Sequence, residues 1–293
     1  MKVGELFSSF DSKLKISQDR RSLIASRRNL IVKRLNQEFR GYYSNCNSLF
    51  VGSYGRNTAN EFVSDIDLVC ILPYETYQRF NQYVNNGQSA LLQAVKQAIA
   101  KTYPCTSLKG DGQIVDVTFS DGMKFEILPS FENNDGRSLI YANSNDGGSW
   151  QVTDPRPEIK AFQDMNKECN DNLYSLCRMV RAWKYTNNVD IKSCLLDLFA
   201  YRFLNSYDYK DKSYLYYDWM LRDYFEYLSK IDDNQHKWMM PGSRKMYFCF
   251  DNFQAKARKA YEIAKEAIEY DDVGCEWSAK QRWKSILGNN FAC

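Results

Sequence analysis

The stretch Val51–Leu72, VGSYGRNTANEFVSDIDLVCIL, places a Gly-Ser turn ahead of an apolar run that carries two aspartates, Asp65 and Asp67. Side chains on a strand alternate faces, so the two aspartates project from one side and Ile66 from the other. Val63–Leu72 is rich in β-branched and apolar residues, which predicts a buried strand rather than a surface turn. Two like charges on one face of a buried strand are unfavourable unless a cation lies between them. Hard divalent cations prefer oxygen donors, and magnesium characteristically joins one or two carboxylates to substrate phosphates. The pattern reads as a metal-dependent phosphoryl- or nucleotidyl-transfer site.

Outward from this stretch, Ser48–Val51 reads as a short strand, followed by the Gly52-Ser53 turn and a short helix over 55–61. A small-residue turn before a helix lets backbone N–H groups and a hydroxyl approach a phosphate. A third carboxylate, Glu126, lies in KFEILPSF (124–131), where Phe125 and Ile127 alternate to the opposite face. Ile114–Phe119 and Lys124–Leu128 flank Ser-Asp-Gly-Met, a hairpin pattern. Asp116 alternates in the same way as Glu126, so spacing leaves both open as the third carboxylate. That group is expected to bind the catalytic metal and to act as general base on the attacking hydroxyl. A pair of metals would neutralise the attacking and leaving oxygens of an in-line displacement.

The rest of the chain reads mainly as helix. Residues 5–40 carry Ile16, Leu23, Ile24, Leu30, Ile31, Leu35 and Phe39 near helical spacing, which predicts one long helix. Its arginines and lysines read as a solvated face in preference to a nucleic-acid stripe. A helix is expected around 89–101, and a loop or domain junction over 132–157. Helical segments follow near 158–169, 171–187, 191–206, 212–230 and 251–270, giving domains 1–157 and 158–293. The many tyrosines and tryptophans between Tyr201 and Trp238 read as core rather than as base-stacking groups. In Leu176–Lys184, Arg178, Arg181 and Lys184 recur at i, i+3 and i+6, a basic stripe of which one or two members could hold a triphosphate. Ser193 opens the next helix with a hydroxyl suited to the same phosphates.

Composition removes other chemistries. Of 293 residues, 44% are hydrophobic and 26% charged, ordinary values for a globular protein, and a net charge of +3 is too small to diagnose nucleic-acid binding. No apolar run approaches the roughly 18–20 residues of a membrane helix. The first residues, MKVGELFSSFDSKLK, show no signal-peptide core, so a cytoplasmic location is expected. Nine cysteines contain no CxxC pair, and His236 is the sole histidine. A Cys/His zinc site and a Ser-His or Cys-His nucleophile are therefore poor fits.

Gly52-Ser53-Tyr54-Gly55-Arg56, Ser64-Asp65-Ile66-Asp67-Leu68 and Phe125-Glu126-Ile127-Leu128-Pro129 together resemble the polymerase-β-like nucleotidyltransferases. More narrowly, the chain is similar to the branch of the oligoadenylate synthetases and cGAS, and to their bacterial cGAS/DncV-like relatives (CD-NTases, SMODS type). Arg178–Lys184, Leu195–Phe203 and Gln281–Gly288 fit the helical half of the bacterial members. The resemblance implies an α+β fold: a nucleotidyltransferase lobe with a mixed sheet, packed against a helical C-terminal lobe, with the active site between them. It implies that Asp65, Asp67 and Glu126 are the metal triad, that Gly52 and Ser53 form the phosphate turn, and that Arg181 or Lys184 contacts the triphosphate. The implied reaction joins nucleoside triphosphates, with two magnesium ions or manganese in their place, into a cyclic di- or trinucleotide. Implied partners are an effector protein that the product activates and the ancillary proteins of a bacterial anti-phage system (CBASS). A linear oligoadenylate synthase, a transferase of the toxin–antitoxin type acting on tRNA or protein, and an inactive nucleotide-binding protein are the competing readings.

Overall fold

The computed structural model describes residues 3–291. The chain begins with α1 (Val3–Leu14) and α2 (Gln18–Arg40), then β1 (Ser48–Phe50), the one-turn α3 (Gly52–Gly55) and β2 (Asp65–Ile71). Next come α4 (Tyr74–Asn81), α5 (Gly87–Ala100), β3 (Ser107–Asp111), β4 (Ile114–Thr118), β5 (Lys124–Glu132), β6 (Leu139–Asn143) and β7 (Ser149–Thr153). The remainder comprises α6 (Arg156–Glu168), α7 (Asn172–Thr186), α8 (Ser193–Asn205), α9 (Tyr217–Ser229), β8 (Lys237–Met239), β9 (Met246–Phe248), α10 (Gln254–Asp272) and α11 (Glu276–Leu287).

The helix expected over 5–40 is two helices. Ser17 interrupts it, because its side chain accepts from the Arg20 amide and caps the start of α2. This break also separates two compact units. One contains Ser17–Gly55 and Val63–Pro155; the other contains Met1–Ile16, Arg56–Phe62 and Arg156–Cys293. The helical unit therefore draws in α1 and the segment after the Gly-Ser turn, as well as the residues from 158 onward.

The first unit is built on a seven-stranded mixed sheet in the order β1-β2-β5-β4-β3, with β6 joining β5 and β7 joining β6. Only the central pair is parallel: β2 runs beside β5 with Asp65 opposite Lys124 and Asp67 opposite Glu126. The other pairings are antiparallel. Strand alternation sends Ile66, Leu68, Phe125 and Ile127, all 0% exposed, into a core shared with Ile24 and Ile31 of α2 and Leu91 and Val95 of α5. Each such side chain contributes on the order of 1.5–3 kcal/mol. The segment expected to be a loop, 132–157, instead holds β6 and β7, in which Trp150 reaches Asn81 through its indole N–H and packs edge-on to Tyr77.

The arginines of α2 serve this unit itself. Arg20 donates to the Val63 carbonyl and Arg40 to that of Ile71; Arg28 bonds the Ser48 hydroxyl, and Arg27 pairs with Asp121 while lying over the Phe119 ring. These four are tied into the unit rather than forming a merely solvated face.

In the helical unit α1 packs Phe7 and Phe10 against the C-terminal residues: Phe7 meets Trp283 at 4.9 Å, and Phe291 lies 5.0 Å from Phe7 and 5.4 Å from Phe10. Residues 289–293 read from sequence as a flexible tail; Phe291 is fully buried, and Ala292 and Cys293 lie outside the described residues. Of the aromatics expected to be core, Tyr217, Tyr224 and Trp238 are buried, whereas Tyr209, Tyr214, Tyr216 and Trp219 are exposed. Among the described residues no helix is long and apolar enough to cross a membrane.

Candidate functional site

Gly52 opens the site. Its φ of +59° is the left-handed region, and a Cβ on it would lie 1.8 Å from Oδ2 of Asp67. A side chain is excluded here both by conformation and by space, so the turn can press its backbone against the carboxylate. The Val51 amide donates to the Asp67 carbonyl at 3.0 Å, tying the turn to β2. Ser53 follows in the single turn of α3.

Asp65 and Asp67 are less buried than the strand pattern implies. Asp65 is exposed and Asp67 partly buried, whereas Ile66 and Leu68 beside them are fully buried. The pair sits where β2 emerges from the core, so its mutual repulsion is eased by water as well as by any cation. Parallel register sets Glu126 directly opposite Asp67 on the neighbouring strand, about 4.8 Å away. Asp116 is opposite Glu126 on the far side, in β4, one strand further from Asp67. The register thus favours Glu126 over Asp116 as the third carboxylate.

Lys124 was not anticipated from sequence. It precedes Glu126 by two residues, on the same strand face, and stands opposite Asp65. Its ammonium donates to Glu126 Oε1 at 2.8 Å and reaches Asp116 Oδ1 at 3.1 Å. The hydrogen bond to Glu126, then that to Asp116, hold Lys124 well above the usual lysine value, against an opposing effect of burial. The signal in the sequence was the Lys-x-Glu spacing, which alternation places on one face.

The carboxylates are hard oxygen donors on a single face, the set a divalent cation of the magnesium type selects. With Glu126 bonded to Lys124, no three Asp, Glu, His or Cys side chains converge for a metal among the described residues. The donor chemistry is that of a magnesium-type site, while Glu126 is held by the lysine. Thiol chemistry does not fit: burial pushes Cys70, on the site strand, up to about 12 and Cys169 to about 11, and raises Cys177, Cys194 and Cys249.

In the helical unit the basic stripe separates into two kinds of residue. Arg178 forms a bidentate pair with buried Asp11 of α1, at 2.9 and 3.0 Å. Arg181 binds Asp197 through Nη2 at 2.6 Å and Nε at 3.2 Å, and Asp197 is 0% exposed. The same carboxylate accepts from Arg56 at 2.9 Å and from the Thr58 hydroxyl at 2.6 Å, and Arg56 also holds Glu158 at 2.6 Å. Arg181 is thus engaged within the fold, with Asp197 as its partner. Lys184 is half-buried, and its ammonium meets the Ser193 hydroxyl at 3.3 Å. Burial, then the Arg181 charge, lower Lys184 below the usual lysine value. An anion would relieve that cost.

The chain has relatives among known proteins. Residues 1–166 match the model of the Second Messenger Oligonucleotide or Dinucleotide Synthetase domain. A probable cyclic nucleotide synthase of Bacillus cereus (strain VD146) is 27% identical over 177 residues, 57% of this chain and 51% of that protein. The chain thus spans about half the length of this curated relative. The fold is similar to that of Vibrio cholerae DncV cyclic AMP-GMP synthase in complex with the linear intermediate 5′ pppA(3′,5′)pG. That match has a TM-score of 0.73 at 13% identity and covers 100% of this chain and 97% of the other. Escherichia coli MS115-1 CdnC, solved with ATP, matches with a TM-score of 0.67 at 16% identity, over 99% and 98% of the two chains. At these identities the structural likenesses establish the fold.

Proposed function

The chain belongs to the Second Messenger Oligonucleotide or Dinucleotide Synthetase family, and we propose that it joins nucleoside triphosphates into a cyclic di- or trinucleotide messenger. The observation that carries this reading is the register of Asp67 opposite Glu126, with Asp65 on the same face and the Gly52 turn against Asp67. Asp65, Asp67 and Glu126 would hold two magnesium ions, or manganese in their place. When bound, these supply neutralisation of charge on the attacking and leaving oxygens. The Gly52-Ser53 turn offers backbone N–H groups and a hydroxyl to substrate phosphate. Glu126, freed from Lys124, accepts the proton of the attacking hydroxyl. Lys184 and Ser193 supply an ammonium and a hydroxyl to phosphate oxygens.

The relatives support the substrate class: one was solved with ATP and another with a linear dinucleotide intermediate. A cytoplasmic role in anti-phage signalling (CBASS), with an effector protein as the receiver of the product and ancillary partner proteins, completes the proposal. The test is incubation with radiolabelled ATP, GTP, CTP and UTP and magnesium or manganese, followed by phosphatase and chromatography. A phosphatase-resistant product, absent with Asp65→Ala and Asp67→Ala, is expected. A phosphatase-treated product that keeps a free 5′ hydroxyl, and so can be relabelled by a 5′-end kinase, would instead support linear oligonucleotide synthesis, and label transferred to tRNA or protein the toxin-type reaction.

A further inference from the structure

Lys124 stands at the centre of a face that carries four carboxylates. Asp65 is opposite it in β2, Glu126 follows it by two in β5, Asp116 lies across in β4, and Asp67 is opposite Glu126. Its backbone is pinned where β5 begins, the amide donating to the Ser64 carbonyl at 2.8 Å. Its side chain is only 28% exposed and bridges Glu126 and Asp116, whereas the neighbouring Lys109, opposite Asp116 in β3, is paired with Asp111 at 2.8 Å. A divalent ion that takes an oxygen of Glu126 must compete with this ammonium for it.

Resting on the reading of Asp65, Asp67 and Glu126 as metal ligands, we propose that Lys124 is a built-in counter-ion that holds Glu126 until metal displaces it. Lys124 thereby sets how much metal the site requires. Before metal arrives, the ammonium offsets the repulsion of the clustered carboxylates. On loading, Glu126 turns to the ion and Lys124 keeps Asp116, which is already within 3.1 Å. The residue is a positioning group: it acts on the reaction through Glu126.

Manganese binding to the full-length protein, followed by the loss of the free-ion electron paramagnetic resonance signal, tests this without any turnover. Lys124→Met is expected to bind manganese about tenfold more tightly than the unmodified protein, because a charge-assisted bond no longer competes. Lys124→Arg is expected to restore weaker binding, and Asp67→Asn to lose it. In chelator, Lys124→Met should melt at a lower temperature, with a larger rise on adding manganese; Lys124→Gln serves the same comparison if the methionine variant does not fold. Equal or weaker manganese binding by Lys124→Met, with binding still dependent on Asp67, overturns the role of Lys124 alone. Absence of any Asp67-dependent manganese binding overturns the metal-site reading and this proposal with it.

Discussion

The Cα of Gly52 is held so close to the carboxylate of Asp67 that a β-carbon would fall 1.8 Å from Oδ2. Gly52→Ala therefore meets two penalties, a collision and a left-handed φ of +59°. Product formation is expected to fall about a hundredfold as the turn and carboxylate are pushed apart. Gly41→Ala is the control, since its φ is +78° but nothing lies within 4 Å of the added carbon. It should lose about 1 kcal/mol in urea denaturation while keeping its activity.

Asp197 accepts from Arg56, Arg181 and Thr58 while wholly shielded from water. Asp197→Ala strands two guanidinium groups and a hydroxyl, which should cost about 3–5 kcal/mol. The urea midpoint is the measurement, and a loss below 1 kcal/mol would contradict this account.

Lys184 and Arg181 lie on one helix but should fail differently. Lys184→Ala is expected to raise KM for nucleoside triphosphate about tenfold, with little change in melting temperature. Arg181→Ala should lower the melting temperature, because Asp197 loses its bidentate partner. Steady-state kinetics and thermal melts on both variants separate the two roles.

Burial raises Asp218 from 3.8 to about 6, and the nearby Asp271 charge adds to this. An acid whose folded value exceeds its unfolded one binds more protons when folded. Its contribution to stability is thus greatest below 3.8 and is lost as pH rises through about 6. Asp218→Asn should be more stable than the native chain at pH 7, by about 1–3 kcal/mol after solvent screening, and lose that advantage below pH 4. Denaturation at both pH values checks the sign.

The carboxylate face was legible because strand alternation is rigid: two residues apart means one side. What escaped was any feature set by distant pairing. Lys124 could be placed on the face of Glu126, yet its bridge to Asp116 depends on the β4–β5 register. Arg181 looked like a free cation at helical spacing, while its partner Asp197 lies on the next helix and Arg56 far upstream. β6 and β7 were hidden because Asn, Asp and Gly fill the turns between them and dominate the composition of 132–157. The Ser17 break in the first helical run was readable in principle, as a hydroxyl before an acidic first turn, but the apolar spacing continued through it.

The cluster around Asp197 also bears on how the chain comes into being. Arg56 and Thr58 are made long before the carboxylate they share, which lies 141 and 139 residues further along the chain. Such long closures slow folding. A fragment starting at 158 would carry Asp197 and Arg181 but lack Arg56, Thr58 and the α1 phenylalanines that cover Trp283. The helical unit is thus assembled from three separate stretches of chain, the first of them synthesised before any of the sheet.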